Sequence, residues 1–200
     1  MIAFLNEREA LDALANGEVI SVPTDTVYGV AASLESPLGI EKLFRLKRRP
    51  GELALPVLVH SLEQIELLGV ELDARARRLA RAFWPGALTV VLAAPGSIAS
   101  KVGGSSSTVG FRIPNDEQLL SLLARSGPLC VTSANEHGAP PCQSAEQVRM
   151  IFSGRDELFG VLDAGPRQGA VSTVVDLASE PWRVARVGAI SDVELSKVLD

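Results

Sequence analysis

The chain has 200 residues, 46% of them hydrophobic and 22% charged, enough for one ordinary domain to form a core without disulfides or a structural metal. Aromatic residues make up only 4%, so that core must be built from Val, Leu, Ile and Ala. A formal charge of −5 and a pI near 5.2 argue against a dedicated nucleic-acid binder, which is usually basic overall.

Cys130 and Cys142 form no Cys-x-x-Cys pair and no framework, which fits a reducing compartment. The apolar run from Met1 to Leu5 is too short for a signal peptide, and nothing approaches the roughly 20 apolar residues of a membrane span. A soluble, cytoplasmic protein is expected.

Glu7 to Asn16 reads as an amphipathic helix with Ala10, Leu11 and Leu14 on one face and Gly17 to end it. Val19 to Val22 reads as a strand stopped by Pro23. Ser36 and Pro37 form an N-cap and first helical residue, after which Ile40, Leu43 and Phe44 recur at helical spacing. Pro56 to His60 is a short strand. Asp73 to Phe83 is a helix with Arg75, Arg77, Arg78 and Arg81 on its wetter side. Strands are expected at Leu88 to Ala93, Val109 to Ile113, Leu129 to Thr132, Phe159 to Leu162, Ser172 to Leu177 and Arg183 to Val187. Helices are expected at Glu117 to Ala124, Ala145 to Phe152 and Ser191 to Leu199. Strands and helices intermix, and no linker divides the chain. The fold class is therefore α/β (α+β), one domain over residues 1–200, with a mixed sheet flanked by helices.

Three polar clusters stand just beyond these elements, where α/β proteins place binding groups. In Pro23-Thr24-Asp25-Thr26-Val27-Tyr28-Gly29, Thr24 and Thr26 share a side if the segment is extended. An ST- or Asx-turn capping the strand is the alternative. In Lys47-Arg48-Arg49-Pro50, Lys47 continues the buried face of its helix, and Pro50 disfavours helix at Arg49. An extended segment there would aim Lys47 and Arg49 at one ligand, such as a triphosphate. Dipole-complementing cations in solvent are the alternative. In Ser133-Ala134-Asn135 the spacing of two again joins a hydroxyl and an amide, against a plain polar loop start. Arg112 lies inside a strand, where burial demands an anionic partner. Ser172-Thr173 opens another strand, His60 ends one, and Gly103-Gly104 is a weak phosphate-loop signal. No Walker loop, Gly-x-Gly-x-x-Gly, His-Glu-x-x-His or zinc spacing occurs.

Taken in order, these clusters resemble the YrdC/TsaC family of threonylcarbamoyl-AMP synthases. The resemblance extends through Pro56-x-x-Val59-His60, Trp84-Pro85-Gly86-Ala87-Leu88-Thr89, Val109-Gly110-Phe111-Arg112-Ile113-Pro114, Ser172-Thr173-Val174-Val175-Asp176 and Arg186-x-Gly188. It implies a YrdC-like domain of the short, single-domain form, with a twisted mixed sheet and a concave cationic cavity. It also implies a reaction: L-threonine, bicarbonate and ATP with Mg²⁺ give L-threonylcarbamoyladenylate and pyrophosphate. The adenylate then serves the complex that transfers the threonylcarbamoyl group to adenosine 37 of tRNA. The resemblance assigns Thr24, His60, Arg112, Ser133 and Ser172 to threonine or its carbamate. It assigns Lys47, Arg49, Thr108, Asn135 and Arg186 to ATP, with Gln143 and Ser144 as further ATP contacts, and Lys47 and Arg49 as the catalytic cations. No protein ligand to a metal is expected, and no protein nucleophile.

Two departures stand out. The loop between Pro50 and Pro56 is about two residues longer than the family pattern, and Cys142-Gln143-Ser144 stands where relatives carry Thr. Two rival readings are a YciO-like paralog and a non-catalytic double-stranded-RNA module. Intact Lys-x-Arg and Ser-x-Asn favour the synthase over the first, and the acidic pI counts against the second, leaving only a weak tRNA contact open. A third, a hydrogenase-maturation module, belongs to much longer chains.

Overall fold

Local signals start most helices where the sequence places them. The computed structural model describes residues 2–48, 54–104, 107–136 and 138–199. Helix α1 (Glu7–Ala15) opens on a capping box in which the Asn6 side chain accepts from Glu9 N while the Glu9 carboxylate accepts from Asn6 N. Helix α2 (Pro37–Lys47) is capped by Ser36 with Pro37 in its first turn. Short α3 (Leu62–Leu67) is capped by Ser61, α4 (Ala74–Phe83) by Asp73, α6 (Glu117–Ser126) by Asp116 and α7 (Ala145–Ile151) by Ser144. Short α5 (Gly96–Ala99) and the closing α8 (Asp192–Leu199) complete the set. Arg78 on α4 donates to the Val198 and Leu199 carbonyls at 2.9 and 3.0 Å, fastening α8 by its C-terminal end.

The strands are β1 (Ala3–Leu5), β2 (Val19–Val22), β3 (Gly29–Ser33), β4 (Val57–Leu58), β5 (Leu88–Ala93), β6 (Thr108–Arg112), β7 (Leu129–Ser133), β8 (Leu158–Leu162), β9 (Thr173–Asp176) and β10 (Arg183–Arg186). Among the described residues they form one ten-stranded sheet in the order β1-β8-β2-β3-β7-β4-β6-β5-β9-β10. The sheet is mixed: β1 and β2 run parallel to β8, β4 to β6 and β5 to β9, and the other neighbours are antiparallel.

The period of two along the strands divides the sheet into two faces. Val30, Ala32, Val57, Val90, Leu92, Val109, Phe111, Cys130 and Val175 point into the larger apolar cluster, together with residues of α2, α3, α4, α5, α7 and α8. Ala31, Leu58, Leu129 and Val131 point the other way, into a smaller cluster with Ala10, Ala13 and Leu14 of α1 and Leu119, Leu122 and Leu123 of α6. Helices α1 and α6 cover only part of that second face. Over β5, β6, β9 and the end of β7 it stays open, and the open part is the cavity described below.

Four elements escape the sequence reading, one expectation is corrected, and the turn reading of Thr24 and Thr26 holds. The four are strands β1 and β3 and helices α3 and α5. The extended Lys47-Arg48-Arg49 segment does not form: Lys47 is the last residue of α2, and Arg48 caps it in a left-handed conformation with φ 46°. Arg49 lies outside the described residues. Thr24 and Thr26 are brought together by a turn and not by an extended strand.

Candidate functional site

The open face forms a cavity of about 380 Å³, in the size range of roughly 300–1,000 Å³ usual for small-molecule sites. Its floor follows the strand period: Thr89 and Val91 from β5, Thr108, Gly110 and Arg112 from β6, Val131 and Ser133 from β7, and Val174 from β9. Each alternates with a residue of the main core, so folding that core aims these side chains at the cavity. Gly110 keeps the floor low, since a Cβ there would lie 3.0 Å from the Thr89 methyl.

Arg112, at the end of β6, is buried in the cavity wall. Its Nε donates to the Gly86 carbonyl at 2.9 Å, Nη2 to Asp25 Oδ1 at 2.7 Å, and both Nη atoms reach Thr26 Oγ1 at 3.3 Å. Burial lowers its pKa, the Asp25 charge opposes that shift, and Arg186 adds to it. The anionic partner that the sequence demands of Arg112 is therefore Asp25 of the chain itself. Asp25 carries no assignment in the resemblance. The signal that could have found it is its place one residue from Thr24 at a strand end, beside a strand-borne arginine.

Thr24 lines the cavity, but its hydroxyl serves the backbone. It accepts from Thr26 N and Val27 N at 3.1 and 3.2 Å and donates to the Val27 carbonyl at 2.7 Å. With that proton committed, Thr26 Oγ1 donates to Thr24 Oγ1 at 2.9 Å and accepts from Arg112. The turn alternative holds at Thr24, and Thr26 is the hydroxyl that meets Arg112.

Lys47, at the end of α2, and Asn135 are not among the residues that line the cavity, but both contact Ser133, which is. Lys47 Nζ donates to the Ser133 carbonyl and to Asn135 Oδ1, each at 2.7 Å, and to the Asn135 carbonyl. Ser133 Oγ donates to Asn135 Oδ1 at 2.8 Å, and Asn135 Nδ2 donates to the Ala139 carbonyl at 2.6 Å. Lys47, Ser133 and Asn135 thus form one hydrogen-bonded group.

Arg186 lines the cavity. A register shift between Val184 and Arg186 sets it opposite Val174, the kind of irregularity that re-aims a strand side chain. Its Nε and Nη2 donate to the Ser172 carbonyl at 3.1 and 2.9 Å, and Nη2 to Ser172 Oγ at 2.9 Å. Ser172 Oγ also lies 3.0 Å from Thr89 Oγ1. Gly188 permits the close approach of the following turn, because a Cβ there would collide with the Val171 carbonyl.

Some assigned residues lie elsewhere. His60 is exposed and does not line the cavity. Gln143 lines a second, neighbouring hollow of about 620 Å³ with Pro140, Pro141 and Met150, and Ser144 spends its hydroxyl capping α7. Thr108 does line the first cavity. Tyr28 lies between the strands and the 163–171 segment: its hydroxyl lies 3.0 Å from Asp163 Oδ1 and 2.9 Å from the Gly165 carbonyl, and accepts from Ala164 N. Burial first, then the Asp163 carboxylate, pushes its pKa up to about 12. Among the described residues no helix is long and apolar enough to cross a membrane.

A family model described as "Telomere recombination" (Sua5_yciO_yrdC) matches residues 12–188. A Mycobacterium tuberculosis protein is 39% identical over 191 residues, 95% of this chain and 87% of its own length. A threonylcarbamoyl-AMP synthase of Pyrococcus abyssi is 35% identical, over 96% of this chain and 56% of that protein. The structure of P. abyssi Sua5 complexed with L-threonine superimposes with a TM-score of 0.88 at 34% identity, over 98% of this chain and 58% of that one. The chain thus spans a little over half of each Pyrococcus protein. With a family model aligned across 12–188, which takes in all three polar clusters and the strands that carry Arg112 and Arg186, the chain belongs to the Sua5/YciO/YrdC family.

Proposed function

We propose that the chain makes L-threonylcarbamoyladenylate from L-threonine, bicarbonate and ATP, releasing pyrophosphate, as the first step of threonylcarbamoyl modification of tRNA adenosine 37. The observation that carries this reading is a cavity lined by a buried guanidinium among hydroxyls, by Arg186 and by Ser133, with Lys47 and Asn135 hydrogen-bonded to Ser133 from outside the lining. The buried guanidinium and its hydroxyls suit an amino acid carboxylate and hydroxyl, and Arg186 with the Lys47–Ser133–Asn135 group suits a nucleotide triphosphate. The synthase name of the P. abyssi relative and the L-threonine complex of P. abyssi Sua5 support it.

In this reading Arg112 receives the threonine carboxylate, with the Thr24–Thr26 turn and Ser172 nearby. Lys47, Asn135, Thr108 and Arg186 receive ATP, and Lys47 exchanges one of its chain oxygens for a phosphate oxygen. Arg49 joins them as the second cation expected from the sequence. The threonine amine attacks the carbon of bicarbonate with loss of water, or of carbon dioxide with loss of a proton, to give the carbamate. A carbamate oxygen attacks the α-phosphorus, and pyrophosphate leaves, which makes the enzyme a nucleotidyltransferase. The protein supplies position and positive charge for the phosphoryl oxygens. Magnesium enters as part of MgATP. The cavity wall offers hydroxyls and guanidiniums, and the nearby Asp25 carboxylate is committed to Arg112, a donor set that suits an ion carried by phosphates better than a resident one. The adenylate passes to a tRNA threonylcarbamoyl-transfer complex. Mass analysis of the nucleotide products with each substrate omitted in turn tests the reading.

A further inference from the structure

Arg112 enters the cavity with a carboxylate already behind it. Asp25 Oδ1 accepts from Arg112 Nη2 at 2.7 Å and from the Asn115 backbone N–H at 3.1 Å, and the two side chains are only 7% and 14% exposed. The pair is neutral as a whole, and its positive end lines the cavity while Asp25 does not. Among the described residues, no carboxylate lines that cavity.

We propose that Asp25 is a specificity-determining residue: it makes Arg112 a reader of zwitterionic amino acids and not of carboxylates at large. The inference rests on the amino acid reading given above. A carboxylate bound to Arg112 is separated from Asp25 by one guanidinium, and the burial of that pair weakens the screening between them. Repulsion from Asp25 offsets part of the attraction to Arg112. A ligand with an ammonium group on the adjacent carbon recovers part of that loss, because Asp25 attracts it. A plain hydroxy acid meets the repulsion with nothing to offset it, so selectivity comes from a built-in penalty against the wrong ligand.

Hydrogen bonding and charge can be separated here. Gly86 and Thr26 also hold the guanidinium, and Asn at position 25 keeps an oxygen for Arg112 and Asn115 while removing the charge. Calorimetry should compare L-threonine with (R)-3-hydroxybutyrate, the same skeleton without the amine, on the unaltered protein, on Asp25→Asn and on Asp25→Ser. The unaltered protein should bind L-threonine at least tenfold more tightly. Either variant should lower that preference by roughly tenfold, chiefly through tighter hydroxybutyrate binding. A preference that is unchanged in folded variants overturns the inference and leaves the threonine site standing. If neither variant folds, equal affinity of the unaltered protein for the two ligands overturns it, and a tenfold preference for L-threonine supports it. No L-threonine binding at all by the unaltered protein overturns both readings.

Discussion

Lys47 and Asn135, 88 residues apart in the chain, are joined through both the side-chain and the backbone oxygen of Asn135. The contact ties the end of α2 to the end of β7, and it holds the ammonium against the carbonyl of Ser133, a residue of the cavity lining. A phosphate that binds there finds a cation already in place, with its rotamer set by the protein.

Lys47→Ala should therefore lower turnover roughly 10- to 100-fold and raise KM for ATP, with KM for L-threonine changed less. That is the loss expected for one charge-assisted hydrogen bond of about 1.5–3 kcal/mol. Stability should fall by about 1–3 kcal/mol, because the Ser133 and Asn135 oxygens lose their donor. Lys47→Arg should not rescue, because a planar fork cannot reproduce three oxygens gathered on one ammonium. Initial rates and a urea melt check both parts.

Arg112→Met leaves Asp25 partly buried without its cation. Breaking such a pair from one side costs about 3–5 kcal/mol, so the urea midpoint should drop clearly. Threonine binding should be lost while ATP still binds. Arg112→Met combined with Asp25→Asn should recover much of the stability and none of the threonine binding. Equilibrium melts and calorimetry on the two proteins test this.

Some of this was legible in the chain and some was not. Val19–Val22 and Leu88–Ala93 can be read with their observed bounds because they are β-branched runs between turn residues. Ser36 and Pro37 mark the start of α2 because cap chemistry is local. Strand β3 escapes because Gly-Val-Ala-Ala-Ser has little strand preference of its own, and owes its state to pairing with β2 and β7. The demand for an anion at Arg112 is legible from its strand position, but its source 87 residues away is not. Nor does any local signal show that Arg186 is re-aimed by a register shift. The motif resemblance assigns Lys47 and Asn135 to one ligand and Ser133 to the other, whereas the structure joins all three by hydrogen bonds. The resemblance does not tell that His60 is exposed away from the cavity, because strand-end side chains turn on details of the following bend.

Tyr28 is the only tyrosine in the chain, so its ionisation can be followed alone. Its pKa of about 12 lies above the usual value near 10. The buried, hydrogen-bonded phenol therefore stabilises the fold fully below pH 10, and that contribution is lost as pH rises from about 10 to about 12. Tyrosinate absorbance should appear near pH 12 in the folded protein and near pH 10 in denaturant. Tyr28→Phe should be less stable at neutral pH and should show a flatter loss of stability above pH 10.

Arg167 pairs with Asp116 at 2.8 Å, with side chains 19% and 8% exposed, and Asp116 also caps α6. The same segment donates from Arg167 N to Gln143 and from Gly169 N to Thr26. Arg167→Met should cost about 3–5 kcal/mol and should speed amide exchange at 163–171 before the strands open. Mass-resolved hydrogen exchange reads this directly.

The most direct measurement is to incubate the purified protein with MgATP, L-threonine and bicarbonate and to follow nucleotides and pyrophosphate by mass. The account predicts one adenylate with the mass of threonylcarbamoyl-AMP, equimolar with pyrophosphate, formed only when both L-threonine and bicarbonate are present. Pyrophosphate release that continues unchanged without L-threonine would contradict it.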